Sequence, residues 1–373
     1  MSYRAADVNC ATIPACKTMV NEQRVQILVE QRFGEKTSGV LRVDAVHDAV
    51  VGHAKLVARE AYVDHNLSPN LTIRAGRQVI TWGVGDYLFV NDIFPKNYDG
   101  FFTGKPFDHM KEAVDGVKIN GVAGDVEMEF VIAKPRRDQM PSAHRFTAAA
   151  MPSPVSVTGP ENHGADIAMR AAHKFGRWDT ALYAARYQSR DAAIFGSPAG
   201  LELRTHRTTH AGASAIGSIG SGVALAELAV TSSKLQSGNM NPFMPVKRLK
   251  ALIGYSRDLA EDLSLSVQYH YESELDYDAY LRSLSPMITP GDRHQQTAYA
   301  RLVQRLRHQT LGLGFQVFAS FDGGIYANPF VSYSIVDGLN LEAGANWFHG
   351  PAESRYGMMR HDKNVYASLR YSF

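Results

Sequence analysis

Asn364-Val365-Tyr366-Ala367-Ser368-Leu369-Arg370-Tyr371-Ser372-Phe373 closes the chain, and its alternation decides the fold. Val365, Ala367, Leu369, Tyr371 and Phe373 fall on one face, and Tyr366, Ser368, Arg370 and Ser372 on the other. Successive side chains of a strand point to opposite sides, so one flank suits an apolar medium and the other suits water.

The same period of two recurs upstream. Leu263, Leu265, Val267, Tyr269 and Tyr271 alternate with Ser264, Ser266, Gln268, His270 and Glu272. Leu339, Leu341, Ala343, Ala345 and Trp347 alternate with Asn340, Glu342, Gly344 and Asn346, and segments 125–134, 247–257 and 308–321 follow suit. Short connections (68–70, 121–125, 175–177, 219–221, 258–262 and 336–338) alternate with long ones (81–110, 135–162, 189–204, 233–246, 273–292 and 349–361). Short turns at one end and long loops at the other are the habit of a transmembrane antiparallel β-barrel. Sixteen strands are expected between residues 38 and 373, with eighteen as the alternative. Segment 22–33 also reads as a strand and makes seventeen, so either it has a further partner near the N-terminus or the count of sixteen is off. Strand 323–335 contains Pro329, which requires an edge or a bulge. The domain reading is a periplasmic tail over 1–21 and a barrel over 22–373, with loop 81–110 folding into the lumen.

Composition is compatible with this. The 373 residues are 45% hydrophobic with mean hydropathy −0.22, and no apolar run reaches the length of a spanning helix. A barrel needs none, because only alternate residues meet lipid. The 17 Tyr and 17 Phe suit interfacial girdles. A net charge of +2, without a basic run, argues against nucleic acid as a partner. Residues 1–7 lack the apolar core of a secretory leader, which taken alone favours the cytoplasm; the strand pattern outweighs it, and the chain is read as a mature form or one with a replaced start. Cys10 and Cys16 are close enough in sequence to form a small disulfide loop in an oxidising compartment, or to remain free thiols. No metal site and no cofactor is expected.

The terminal Phe373, with Tyr371 and Leu369 at alternating positions before it, resembles the signal read by the outer-membrane barrel-assembly machinery. A second resemblance lies in Arg77-Gln78-Val79-Ile80-Thr81-Trp82-Gly83-Val84-Gly85-Asp86, continuing to Asn91-Asp92-Ile93-Phe94-Pro95-Lys96-Asn97-Tyr98, with Arg59-Glu60-Ala61-Tyr62-Val63-Asp64 before it. Over roughly residues 53–110 this resembles the Gram-negative porin-like barrels of the alginate-export type and their relatives, in which a "GRQ…WG" strand end leads into an "ND…P" stretch. The resemblance implies a porin-type channel in the outer membrane. Gly83 and Gly85 permit a sharp turn. Two roles stay open for Trp82, Asp86, Asn91, Asp92 and Lys96. They face the permeant at a constriction, or they pack the loop on the inner wall with Asp86 and Asp92 serving wall arginines.

The water-facing phase supplies candidate pore-lining residues: Arg74, Gln78, Glu127, Glu129, Arg170, Lys174, Arg186, His206, His210, Arg248, Lys250, His270, Glu272, Arg301, Glu342 and Arg370. Their modest basic excess predicts a weak anion preference, since selectivity follows rings of charge and width. The competing role for each is a wall-bracing ion pair. Expected partners are outer-membrane lipid, the assembly machinery and a small polar or anionic solute, with a homo-oligomer also open. Two other function classes compete. A sleeve for a periplasmic partner such as a multihaem cytochrome needs that haem on another subunit, because this chain has no haem motif. An outer-membrane hydrolase needs a nucleophile beside a base, and no motif brings them together.

Overall fold

The computed structural model describes residues 1–5, 17–142, 144–147, 164–190, 193–197, 200–204, 206–233, 247–283 and 290–373. Cys10, Cys16 and most of loop 135–162 lie outside them.

The strands, in chain order, begin with β1 (Ser2–Arg4), β2 (Thr18–Val20), β3 (Glu22–Arg32), β4 (Thr37–Asp48), β5 (His53–Ser68), β6 (Leu71–Gln78), β7 (Val114–Ala123), β8 (Val126–Ala133), β9 (Asp166–Phe175) and β10 (Trp178–Gln188). A loop hairpin, β11 (Ala193–Ser197) and β12 (Gly200–Arg204), forms its own two-stranded sheet. The wall continues with β13 (Arg207–Ile219), β14 (Gly222–Ser233), β15 (Lys247–Ala260), β16 (Leu263–Glu274), β17 (His294–Leu306), β18 (Leu311–Ser320), β19 (Ile325–Val336), β20 (Leu339–His349) and β21 (Asn364–Tyr371). From β3 to β21 each wall strand pairs antiparallel with the next wall strand in sequence.

The sheet has nineteen strands, which corrects the expected sixteen or eighteen. All sixteen expected segments are present, as is the strand at 22–33; the shortfall lies in β1 and β2, three residues each and too short to show a period. Both belong to the region read as a tail, so that tail contributes to the wall. β1 is not the partner that residues 22–33 asked for, since their ladder among the described residues is to β4 alone. β1 pairs with β2 on one side and with Asn364–Tyr366 of β21 on the other. Beyond that contact β3 and β21 have no ladder between them among the described residues, so the cylinder is nearly closed. At Pro329 the β19–β20 register passes from Ala327 to Phe330, the interruption that a residue without an N–H demands.

The alternation sorts the faces as expected outside. Leu182, Ile253, Phe315, Trp347 and Leu369 are exposed, while their strand neighbours Tyr183, Leu252, Gln316 and Phe348 are buried. An outward apolar belt on a wall whose backbone groups are paired internally is what lipid requires. The inside is packed along one side. Inward Tyr299, Phe318, Tyr326 and Phe348 of β17–β20 form an aromatic cluster, with Tyr326 stacked on Phe348 at 5.0 Å and Tyr299 against Phe318 at 4.7 Å. Tyr87, Phe101 and Phe102, from the segment between β6 and β7, pack onto it. Period-two reading marks a side chain as inward but is blind to a loop that arrives to cover it.

Candidate functional site: the inner loop and the cavity beside it

Residues 79–113 leave the end of β6, cross the interior and return to β7. Within them lie the short helix α1 (Tyr98–Phe101) and a 3-10 turn, Phe107–Met110. Asn97 caps α1 by accepting from Gly100 N at 2.9 Å.

The loop is seated at several points around the wall. The densest is Glu227 of β14, inward and buried. Its Oε1 accepts from the backbone N of Val84 (2.6 Å) and of Gly85 (2.7 Å). Its Oε2 accepts from Asn91 N (2.9 Å) and Asn91 Nδ2 (2.8 Å). Asn91 also donates to Ala213 O, and its Oδ1 accepts from His210 Nε2 at 3.1 Å. Glycine makes this approach possible. A Cβ on Gly212 would stand 1.9 Å from Asn91 Oδ1, and Gly83 turns at φ +78° against the Glu227 carboxylate. Elsewhere Trp82 Nε1 donates to Glu129 (3.2 Å) and its ring packs on Phe94 and Tyr183. Asp86 accepts from Gln268 Nε2 (2.9 Å) and Ser266 Oγ (3.3 Å). Phe102 O accepts from Asn346 and Asn364, Lys105 pairs with Glu22 at 2.6 Å, and Arg59 donates to Asp108 O and His109 Nδ1. Burial, followed by the charges of Arg24 and Arg59, brings the His109 imidazole down to about 4.

A second segment locks onto the first. Arg145 pairs with Asp48 (2.7 Å), Ser142 N donates to Asp99, and Thr147 N and Oγ1 donate to Asp362. Asp362 also holds Arg4 of β1, in a pair almost wholly buried.

Beside the loop, toward β13–β15, lies a cavity of about 260 Å³. The loop contributes Phe89, Asp92, Lys96 and Tyr98, and Asp138 adds a carboxylate. The far side supplies Arg190, His206, Thr208, His210, Arg248 and Lys250. Asp92 is shared by Lys96 (3.1 Å) and Lys111 (2.5 Å). Burial pushes the Lys96 ammonium below its ordinary range, against the pull of Asp92. On the wall, Arg248 pairs with Glu272 (2.8 Å) and with Glu274, while Lys250 stands 3.7 Å from Glu272.

Of the constriction candidates, Trp82, Asp86 and Asn91 pack the loop on the wall; only Asp92 and Lys96 border the cavity. Asp86 is held by an amide and a hydroxyl, and Asp92 by the loop's own lysines, where wall arginines had been the expected partners. Among the pore candidates, His206, His210, Arg248 and Lys250 meet at the cavity, with Glu272 paired behind them and His270 next along β16. Arg74 pairs with Asp64 (2.7 Å), and Glu129 with Arg170 (2.7 Å) and Lys118 (3.7 Å), while Gln78 is buried and donates to Gly116 O. Arg301 lies over Phe330 and Glu342 accepts from Tyr366 OH. Glu127, Lys174 and Arg370 are exposed near the short-turn end. Arg186 is a correction: it shares the phase of exposed Leu182, opposite buried Ala181 and Tyr183, and so faces outward near the top of β10. This strand carries apolar side chains on both faces, Ala181 and Tyr183 inside and Leu182 and Ala184 outside, so its sequence does not mark which phase meets water. Glu227 was missed altogether, since a single acid in Val223–Val230 carries no mark of four donors arriving from residues 84–91.

No family model matches the chain, and no curated protein is similar to it in sequence. Among solved structures, OccAB1 of Acinetobacter baumannii is similar with TM-score 0.56 at 12% identity, over 99% of this chain and 93% of its own. OccAB3 of the same organism gives 0.55 at 10%, over 94% and 92%. OccK11 (OpdR) of Pseudomonas aeruginosa gives 0.55 at 10%, over 94% and 89%. These neighbours are Gram-negative outer-membrane porin-type channels. The likeness shows the fold, a large antiparallel β-barrel. At such identities the likeness carries the architecture, and solute and mechanism have to come from this chain's residues.

Proposed function

We propose that the chain is a channel of the Gram-negative outer membrane for small polar or anionic solutes, passing beside the inner loop and not down the barrel axis. The observation that carries this reading is the cavity between the loop and β13–β15. It is the polar side of an interior whose β17–β20 side is closed by aromatic packing. Arg190, Arg248, Lys250 and Lys96 border it against Asp92 and Asp138. Cations outnumber carboxylates among the lining residues, while Asp166, Glu272 and Glu274 pair with them from behind, so the anion preference expected is weak. The sleeve reading is disfavoured, since loop and aromatic cluster already occupy the space that an enclosed partner needs. Assembly through the Phe373 signal, with lipid as the surrounding partner, belongs to the same proposal. Reversal potentials in a salt gradient test it: a modest shift toward the anion potential is expected, and clear cation preference refutes the assignment.

A further inference from the structure

Glu227 stands out among the inward carboxylates. It is 4% exposed and has no ion pair among the described residues. Four N–H donors converge on it instead, three of them backbone groups of Val84, Gly85 and Asn91. A buried carboxylate without a cation is tolerated when its lone pairs are filled by such donors. None of the four belongs to the wall; all come from the inner loop. The wall ladders around Glu227, to Ser214 on β13 and Leu252 on β15, are complete without its side chain. The side chain therefore adds nothing to barrel closure and a great deal to where the loop rests.

We infer that Glu227 is the positioning residue of the passage. It anchors residues 84–91 and thereby fixes the position of Phe89, Asp92 and Lys96 at the cavity edge. A second feature of the site agrees with this. Gly83, Gly85 and Gly212 surround the anchor, and a Cβ on Gly212 or Gly85 would strike Asn91 or Leu88 O, so the seat admits one loop position. Glutamine fits the same volume but fails chemically. Its NH₂ must face either the Val84 and Gly85 donors or the Asn91 donors, so two donors meet a donor whichever way the amide turns.

The test uses the refolded full chain with Glu227→Gln and, as a control, Leu228→Ala on the outward face. Heat-dependent electrophoretic mobility checks that each variant forms a barrel. Two readouts follow. Single-channel recording reads the passage. Maleimide labelling of Leu88→Cys, in a Cys10→Ser/Cys16→Ser background, reads the seat of the loop whether or not the barrel conducts. Loss of charge-assisted hydrogen bonds is expected to raise the labelling rate about tenfold or more. It is also expected to add conductance flicker, and Leu228→Ala should do neither. The recording rests on the channel reading and the labelling does not. Faster labelling in a barrel that never conducts would uphold the anchor and remove the channel. Unchanged labelling in a folded Glu227→Gln barrel would overturn the anchor. If Glu227→Gln fails to form a barrel, Glu227→Asp, which keeps the charge on a shorter stem, takes its place; unchanged labelling there also overturns the inference.

Discussion

Placing arginine at Leu182 tests the outward belt at a single residue. Leu182 is 66% exposed on the outer face of β10, and its ladder partners are Ala171 and Ala213. From Leu182 to the strand end at Gln188 is six residues. At ~3.3 Å rise and a tilt of ~40°, that is about 15 Å along the membrane normal. The apolar band is ~25 Å tall, so a side chain at this depth lies near its middle, where an arginine costs about 2–4 kcal/mol. The protein supplies its own comparison. Arg186 lies on the same face but two residues from the strand end, about 5 Å from the rim, where the cost falls to about 0–1 kcal/mol. Urea titration of folding into lipid vesicles should therefore show Leu182→Arg destabilised by about 2–4 kcal/mol. Asn120→Arg, on the inward face beside Glu129, should stay within about 1 kcal/mol. Equal losses at both positions, or the larger loss at Asn120, would refute the assignment of faces.

Gly212→Ala should unseat Asn91, because its Cβ would lie 1.9 Å from the Asn91 carboxamide oxygen; a loss of about 1–3 kcal/mol and faster labelling of Leu88→Cys are expected. Arg145→Ala leaves buried Asp48 without its cation, and a fall of about 3–5 kcal/mol in unfolding free energy is expected by denaturant titration. Loop seating should weaken in acid. The seated His109 stays neutral down to about pH 4, whereas a released imidazole takes a proton near pH 6.5, so the released state binds more protons between those values. Seating is then fully present above about pH 6.5 and is lost as pH falls toward 4, and current noise should rise over that window, less so in His109→Gln. Removing Phe373 should lower the amount of assembled barrel in cells while leaving refolding into detergent close to unchanged.

How much of this was legible beforehand follows from the range of each interaction. The belt, the short turns and the sixteen long strands follow from period-two alternation, a local property that survives without any knowledge of contacts. β1 and β2 escaped because three residues have no measurable period. The loop announced itself through Trp82-Gly83-Val84-Gly85 and Asn91-Asp92, and these residues do occupy the interior. Their roles did not follow, because Glu227 lies 136 residues from Asn91 in the chain and Gln268 lies 182 from Asp86. The aromatic cluster was not legible, for the same reason. Tyr326 and Phe348 stand on the face expected to meet water, and only the arrival of Phe101 and Phe102 makes that face a core.

Recording from the purified, refolded chain in a planar bilayer bears most directly on the whole account. A barrel greasy outside with a charged path along one inner side should insert and give discrete current steps that scale with salt concentration. A polypeptide that stays monodisperse without detergent and leaves the bilayer silent would contradict it.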